Sequence, residues 1–257
     1  MPKVSQPVVF GTALMFLTRL PVGKYSSGEP LVLAQSVRYF PLVGVIVAFI
    51  MSGVLLVCNT LLPMSVSLAM ALVAGVLSTG ALHEDGLADV ADSAGAFDLT
   101  RKLDIMRDSR VGTYGSLALI LCLLLRFVLV WELAMAGDAV LVCAALVLAH
   151  ACSRWSSAYL LARTEYARED AANRIVAQGV DARVLLQATV CLLLVLIIPA
   201  VLLSTWIYLV LPFILLTTIL CSWFFRSTFK GITGDCLGAA NVVIELVCLS
   251  LILASFS

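Results

Sequence analysis

The sequence predicts an all-α, polytopic integral membrane protein. It should have about seven transmembrane helices and a short N-terminal interfacial or re-entrant segment. Three observations lead there. Hydrophobic residues make up 62% of the 257 residues and charged residues only 12%, against about 25% charged in soluble chains. Seven uninterrupted apolar runs approach the ~20 residues that a helix needs to cross a bilayer. Fourteen of the 16 Lys and Arg residues fall outside those runs, on alternate connections, as in a chain threaded back and forth through a membrane. The same composition excludes a soluble globular domain, disorder and collagen. The formal net charge of +0 argues against nucleic-acid binding.

The first apolar stretch, Val8–Thr18, is too short to span, and Arg19, Pro21 and Lys24 follow it directly. No small-x-small cleavage pattern is present, so a surface-lying segment is expected rather than a signal peptide. The spanning runs are 39–62, 64–82, 115–136, 138–162, 184–204, 206–225 and 237–256. They are continuous rather than alternating, which excludes a transmembrane β-barrel. Tight links near Pro63, Gly137 and Thr205 make three helical hairpins. No second domain is expected within 1–257.

The basic residues lie in the N-terminal segment and in the 83–114, 163–183 and 226–236 connections. The positive-inside rule places that side in the cytoplasm, with the N-terminus inside and the C-terminus outside. Of the eight cysteines, seven lie in apolar runs and no pair is spaced C-x-x-C. They read as small hydrophobes, not disulfides or zinc ligands.

Seven of the 16 acids fall in the 83–114 connection: Glu84, Asp85, Asp89, Asp92, Asp98, Asp104 and Asp108. If 83–93 continues the second span as a helix, Asp85, Asp89 and Asp92 lie within about 60° of one another. Three carboxylates on one face repel unless a cation sits between them, and oxygen ligands suit Mg²⁺, Mn²⁺ or Ca²⁺. His83, flanked by acids, is expected as an ion-paired imidazole; a single His makes no zinc site. Asp104 and Asp108 repeat the helical spacing, interleaved with Arg101, Lys102, Arg107 and Arg110. Acids for a cation beside bases for anionic oxygens make a phosphoryl-transfer layout. There is no P-loop motif.

Charges inside spans need partners or a polar cavity. Arg154, near the cytoplasmic end of its span, shares a face with His150 and is placed to reach a phosphate. Arg126 has no partner at helical spacing in Glu132, and snorkelling remains open for it. Asp235 reads as the N-cap of the last span. Asn241 and Glu245 share a face of that span and suggest a polar cavity.

Several motifs resemble the cobalamin (5′-phosphate) synthase family: HEDGLADVAD over His83–Asp92, RKLDIMRDSRVGTYG over Arg101–Gly115, and TGDCLGA over Thr233–Ala239. FLTRLPV (Phe16–Val22) and YFPLVG (Tyr39–Gly44) are similar to its N-terminal region. The resemblance runs from about residue 10 to 245 and departs from the family pattern at Ser93 and Asn241. It implies transfer of adenosylcobinamide-GDP to α-ribazole, or to its 5′-phosphate, with release of GMP in the bacterial inner membrane. It also implies Mg²⁺, held by Glu84, Asp85, Asp89 and Asp92, with Asp108 next. On this reading Arg107, Arg110 and Arg154 hold phosphate oxygens, with Lys102, Asn241 and Glu245 as further substrate contacts. The base is Asp108 or Asp235, and Asp85 and Asp89 carry the reaction. No nucleic-acid partner is implied, and a homo-oligomer is compatible with it.

Two other functions fit parts of the pattern. A CDP-alcohol phosphotransferase shows D-G-x-x-A-R, and here that Arg is absent. A cation or proton-coupled transporter places its acids near the midplane, often in two related halves; these acids cluster in one connection.

Overall fold

The computed structural model describes residues 4–108, 110–167, 179–197, 199 and 207–256. Its elements among these are helices: α1 (Gln6–Leu17), α2 (Pro30–Ser36), α3 (Phe40–Cys58), α4 (Met64–Thr79), α5 (Leu82–Ala94), α6 (Leu99–Ile105), α7 (Thr113–Ala136), α8 (Ala139–Arg163), α9 (Ala182–Val195), α10 (Ile207–Phe229) and α11 (Gly234–Ala254). Short 3₁₀ turns flank α2 at Gly23–Tyr25 and Val37–Tyr39. The chain is a multi-pass membrane protein. Among the described residues five helices, the continuous Pro30–Cys58 stretch among them, are long and apolar enough to cross a bilayer, and α4 with α5 makes a sixth if the bent pair is one span. Of the seven expected runs, 184–204 is helical as Ala182–Val195, and most of its remainder lies outside the described residues, as does the link near Thr205.

α1 has 12 residues, too few to cross, as expected. Gly137 and Asp138 link α7 to α8 tightly, and the Asp138 side chain caps α8 by accepting from the Leu141 amide. α8 is the central helix, with α3 on one side and α11 on another. Gly44 makes the α3 contact possible: a Cβ there would lie 2.2 Å from the His150 carbonyl oxygen. Met51, Leu55, Leu133, Leu148 and Leu249 fill the interior between these helices.

One expectation needs correction. The 83–93 segment is helical but does not continue the second span, because α5 turns 84° away from α4. Gly80 ends α4 in the left-handed conformation (φ 66°), and Ala81 follows at φ 58°. Glycine accepts that region freely, whereas alanine there is strained. The composition turns polar just after the break, at His83-Glu84-Asp85, but hydropathy does not reveal the angle at which α5 leaves.

The connections on the basic side are stitched together. Ala167 donates to the Ile232 carbonyl (2.8 Å) and Ile232 donates to the Glu165 carbonyl (2.9 Å), a parallel bridge between the segments after α8 and after α10. A Cβ on Gly231 would lie 2.6 Å from the Glu165 carbonyl oxygen, so only glycine allows this approach.

Candidate functional site

Helix α5 carries the acid stripe. Its outer face holds Asp85, exposed, and Asp89, partly exposed, one turn apart. On another face, a Cβ on Gly86 would lie 2.6 Å from the Asp235 carbonyl oxygen. The first turn of α11 therefore rests on α5 beside the stripe. Gly238 continues the close approach, 3.2 Å from the Leu82 carbonyl by the same measure. These glycines bring Asp235 to the helix that holds Asp85 and Asp89.

Asp235 is not the N-cap of α11. That position is Thr233, whose hydroxyl accepts from the Cys236 amide (3.3 Å) and donates to Asp235 Oδ2 (3.3 Å). Asp235 instead lies in the first turn, where the helix dipole favours a carboxylate. Buried Met106 meets Thr233 (Oγ1 to Sδ 3.8 Å), so the basic 99–107 segment packs against the start of α11.

Asp92, at the far end of the stripe, has a different task. Its Oδ2 accepts from the Gly112 amide (2.7 Å) and its Oδ1 from the Gly115 amide (2.8 Å). Gly112 is the N-cap of α7 and has no side chain to cap with. Asp92 supplies the missing cap from the neighbouring helix. Glycine is required at both positions: a Cβ on Gly112 or Gly115 would lie 2.5 or 2.3 Å from a carboxylate oxygen of Asp92. Asp92→Ala is therefore expected to cost about 1–2 kcal/mol, read as a lower unfolding temperature in detergent.

Glu84 points inward to a buried network of charges. Arg126 on α7 lies 2.9 Å from Glu84 Oε1 through Nη1 and 2.9 Å from Glu245 Oε2 through Nη2. Arg154 on α8 donates to Glu245 Oε1 and, at 2.7 Å, to Ser153 Oγ. His150 Nδ1 lies 3.0 Å from Glu245 Oε1. All six residues are buried. Two carboxylates face two guanidiniums, so the ionised groups balance, the condition under which charges persist in an apolar interior. Beside the network, Asn241 donates to Ser157 Oγ and to the Leu237 carbonyl (2.7 Å each).

Arg126, for which a partner, a polar cavity or snorkelling stood open, has its partners in Glu84 and Glu245. Arg154 was expected to reach a phosphate; it turns inward instead. His83 is buried, and among the described residues it forms no ion pair, its Nε2 having no hydrogen-bond partner. The acids flanking it point elsewhere. The intramembrane charges Arg126, Arg154 and Glu245 were the available signal for the network; Glu84, in a connection, gave none.

The remaining residues lie on the α6–α7 connection. α6 ends at Ile105, so Asp104 and Asp108 do not share a helix face as their spacing suggested. Asp108 pairs with Arg110 (2.6 Å) at the surface. Hydrogen bonds from the Arg110 side chain and backbone hold its carboxyl below the usual range, which makes it a weaker base. Lys102 Nζ reaches the Thr228 carbonyl (3.5 Å), and Arg101 and Arg107 are exposed. Among the described residues, no three Asp, Glu, His or Cys side chains converge as a metal site.

Residues 9–253 match the family model described as cobalamin-5-phosphate synthase. A protein of Shewanella amazonensis named adenosylcobinamide-GDP ribazoletransferase is 41% identical over 249 residues, covering 93% of this chain and 92% of its own. One of the same name from Shewanella piezotolerans is 38% identical over 251 residues, covering 95% and 94%. No solved structure matches.

Proposed function

The chain belongs to the cobalamin-5-phosphate synthase family, and from that membership we propose that it is an adenosylcobinamide-GDP ribazoletransferase. It joins adenosylcobinamide-GDP to α-ribazole or its 5′-phosphate and releases GMP, the last assembly step of the cobalamin nucleotide loop. The near full-length match to relatives of that name carries this reading, and it favours neither a CDP-alcohol phosphotransferase nor a transporter. The protein sits in the inner membrane of a bacterium. Its basic connections and acid stripe face the cytoplasm, as the positive-inside rule directs, with the N-terminus there and the C-terminus in the periplasm.

Asp85 and Asp89 fit a magnesium ion, which takes one or two carboxylates and completes its shell with water and substrate phosphate oxygens. Glu84 and Asp92 do not extend this set, since Arg126 and two backbone amides engage them. When bound, the ion neutralises charge on the diphosphate. Exposed Arg101 and Arg107 hold the diphosphate from the α6–α7 connection. A ribose hydroxyl of the acceptor forms the new P–O bond, the bond to GMP breaks, and Asp235 takes the hydroxyl proton. Asp108, held ionised by Arg110, is the poorer base. Otherwise the protein's contribution is positioning.

Purified protein in liposomes, given adenosylcobinamide-GDP, α-ribazole 5′-phosphate and Mg²⁺, is expected to release GMP and to stop when EDTA is added. Unphosphorylated α-ribazole in a parallel reaction identifies the preferred acceptor. If no GMP appears while a Shewanella relative releases it alongside, the reading fails.

A further inference from the structure

The acid stripe works only if α5 presents it at the right angle, and little in the local chain fixes that angle. α5 joins α4 through two consecutive left-handed residues at an 84° bend. Its contact with α11 runs over Gly86 and Gly238, with Leu87 and Val90 in one apolar cluster with Leu237 and Ala240, and apolar packing is not directional. Asp92 ties only the far end, to the start of α7. The near end is tied by Glu84, the residue immediately before Asp85, which accepts a hydrogen bond from Arg126 Nη1 while Nη2 of the same guanidinium faces Glu245 as an ion pair at 2.9 Å.

We propose that Arg126 is a positioning residue: by bridging Glu84 on α5 to Glu245 on α11, it sets the rotation of α5 and thereby aims Asp85 and Asp89. The magnitudes support this. At the ~5–6 Å outer radius of a helix, a rotation of about 20° moves a carboxylate by about 2 Å. A misplacement of ~1 Å can cost roughly 100-fold in rate. The planar fork of arginine reaches two carboxylates at once, whereas lysine offers one point charge. The network is charge-balanced and buried, so its ion pairs are little screened by water, and the Arg126–Glu84 contact is in addition a directional hydrogen bond.

The inference rests on the proposed activity, and its test separates the two. Two variants of the full chain in detergent are compared with wild type. Arg126→Lys keeps the charge count and loses the fork. Glu84→Gln with Arg126→Met removes one charge of each sign and leaves Glu245 matched to Arg154. In both, hydrogen–deuterium exchange is expected to rise in 82–94 while α8 and α11 stay protected. GMP release is expected to fall roughly 100-fold in kcat, with KM for adenosylcobinamide-GDP little changed and a higher Mg²⁺ concentration for half-maximal rate. Wild-type exchange and kcat in both variants would overturn the proposal. So would a general rise in exchange across α8 and α11 with kcat and KM failing together, which marks a stability element only. If wild type itself releases no GMP, the activity reading fails, and exchange in 82–94 still decides the tether.

Discussion

Glu245→Ala is expected to lose about 3–5 kcal/mol of stability, the usual consequence of leaving buried charges without their partner. Arg154 would keep only Ser153 and His150, and Arg126 only Glu84. A fold of ordinary stability holds ~5–15 kcal/mol in total, so most of the variant should elute as aggregate on size-exclusion chromatography in detergent. The second substitution Arg154→Met, added to Glu245→Ala, restores the balance of one carboxylate to one guanidinium. It is expected to recover a monodisperse peak. A single variant as stable as wild type would mean that water enters the network and carries the charges.

The largest effect on activity is expected at the acid stripe. Asp85→Asn and Asp89→Asn each remove one of the two carboxylates assigned to the metal while keeping shape. Metal stabilisation of transition-state charge is worth several kcal/mol; at ~1.4 kcal/mol per tenfold, GMP release should fall by roughly 10³ or more. Asp85 is exposed, so its substitution should move stability by no more than ~0.5 kcal/mol. Unfolding temperature and GMP release, measured on the same preparation, separate the two effects. Wild-type turnover in either variant refutes the metal assignment.

What could be read in advance divides by the range of the interaction. The long spans were legible because hydropathy and length are local: Thr113–Ala136 and Ala139–Arg163 lie within a few residues of the runs that predict them. The acid stripe was legible because helical spacing fixes which residues share a face. The bend at Gly80–Ala81 was legible only as a break: a glycine and the turn to polar residues after it mark where a helix ends, but not the 84° at which the next one leaves. The network was hidden for a different reason. Glu84 and Arg126 are 42 residues apart, and Arg154 and Glu245 are 91 apart. Helical spacing reports neighbours on one helix and says nothing of partners on another. Asp92 shows both sides: its place on the stripe followed from spacing, while its bonds to the Gly112 and Gly115 amides came only with the fold.

The charged network also has a consequence for how the protein is made. Its charges arrive one per helix, in the order Glu84, Arg126, Arg154, Glu245. A nascent chain emerging from the ribosome presents α7 with one carboxylate already waiting on α5, but α8 brings an arginine before its acid exists. Only the final helix carries Glu245, which touches both arginines. The helix that carries Glu245 is made after the other three and is thus the one that closes the network; until it inserts, Arg154 must stay near the lipid headgroups or wait in water.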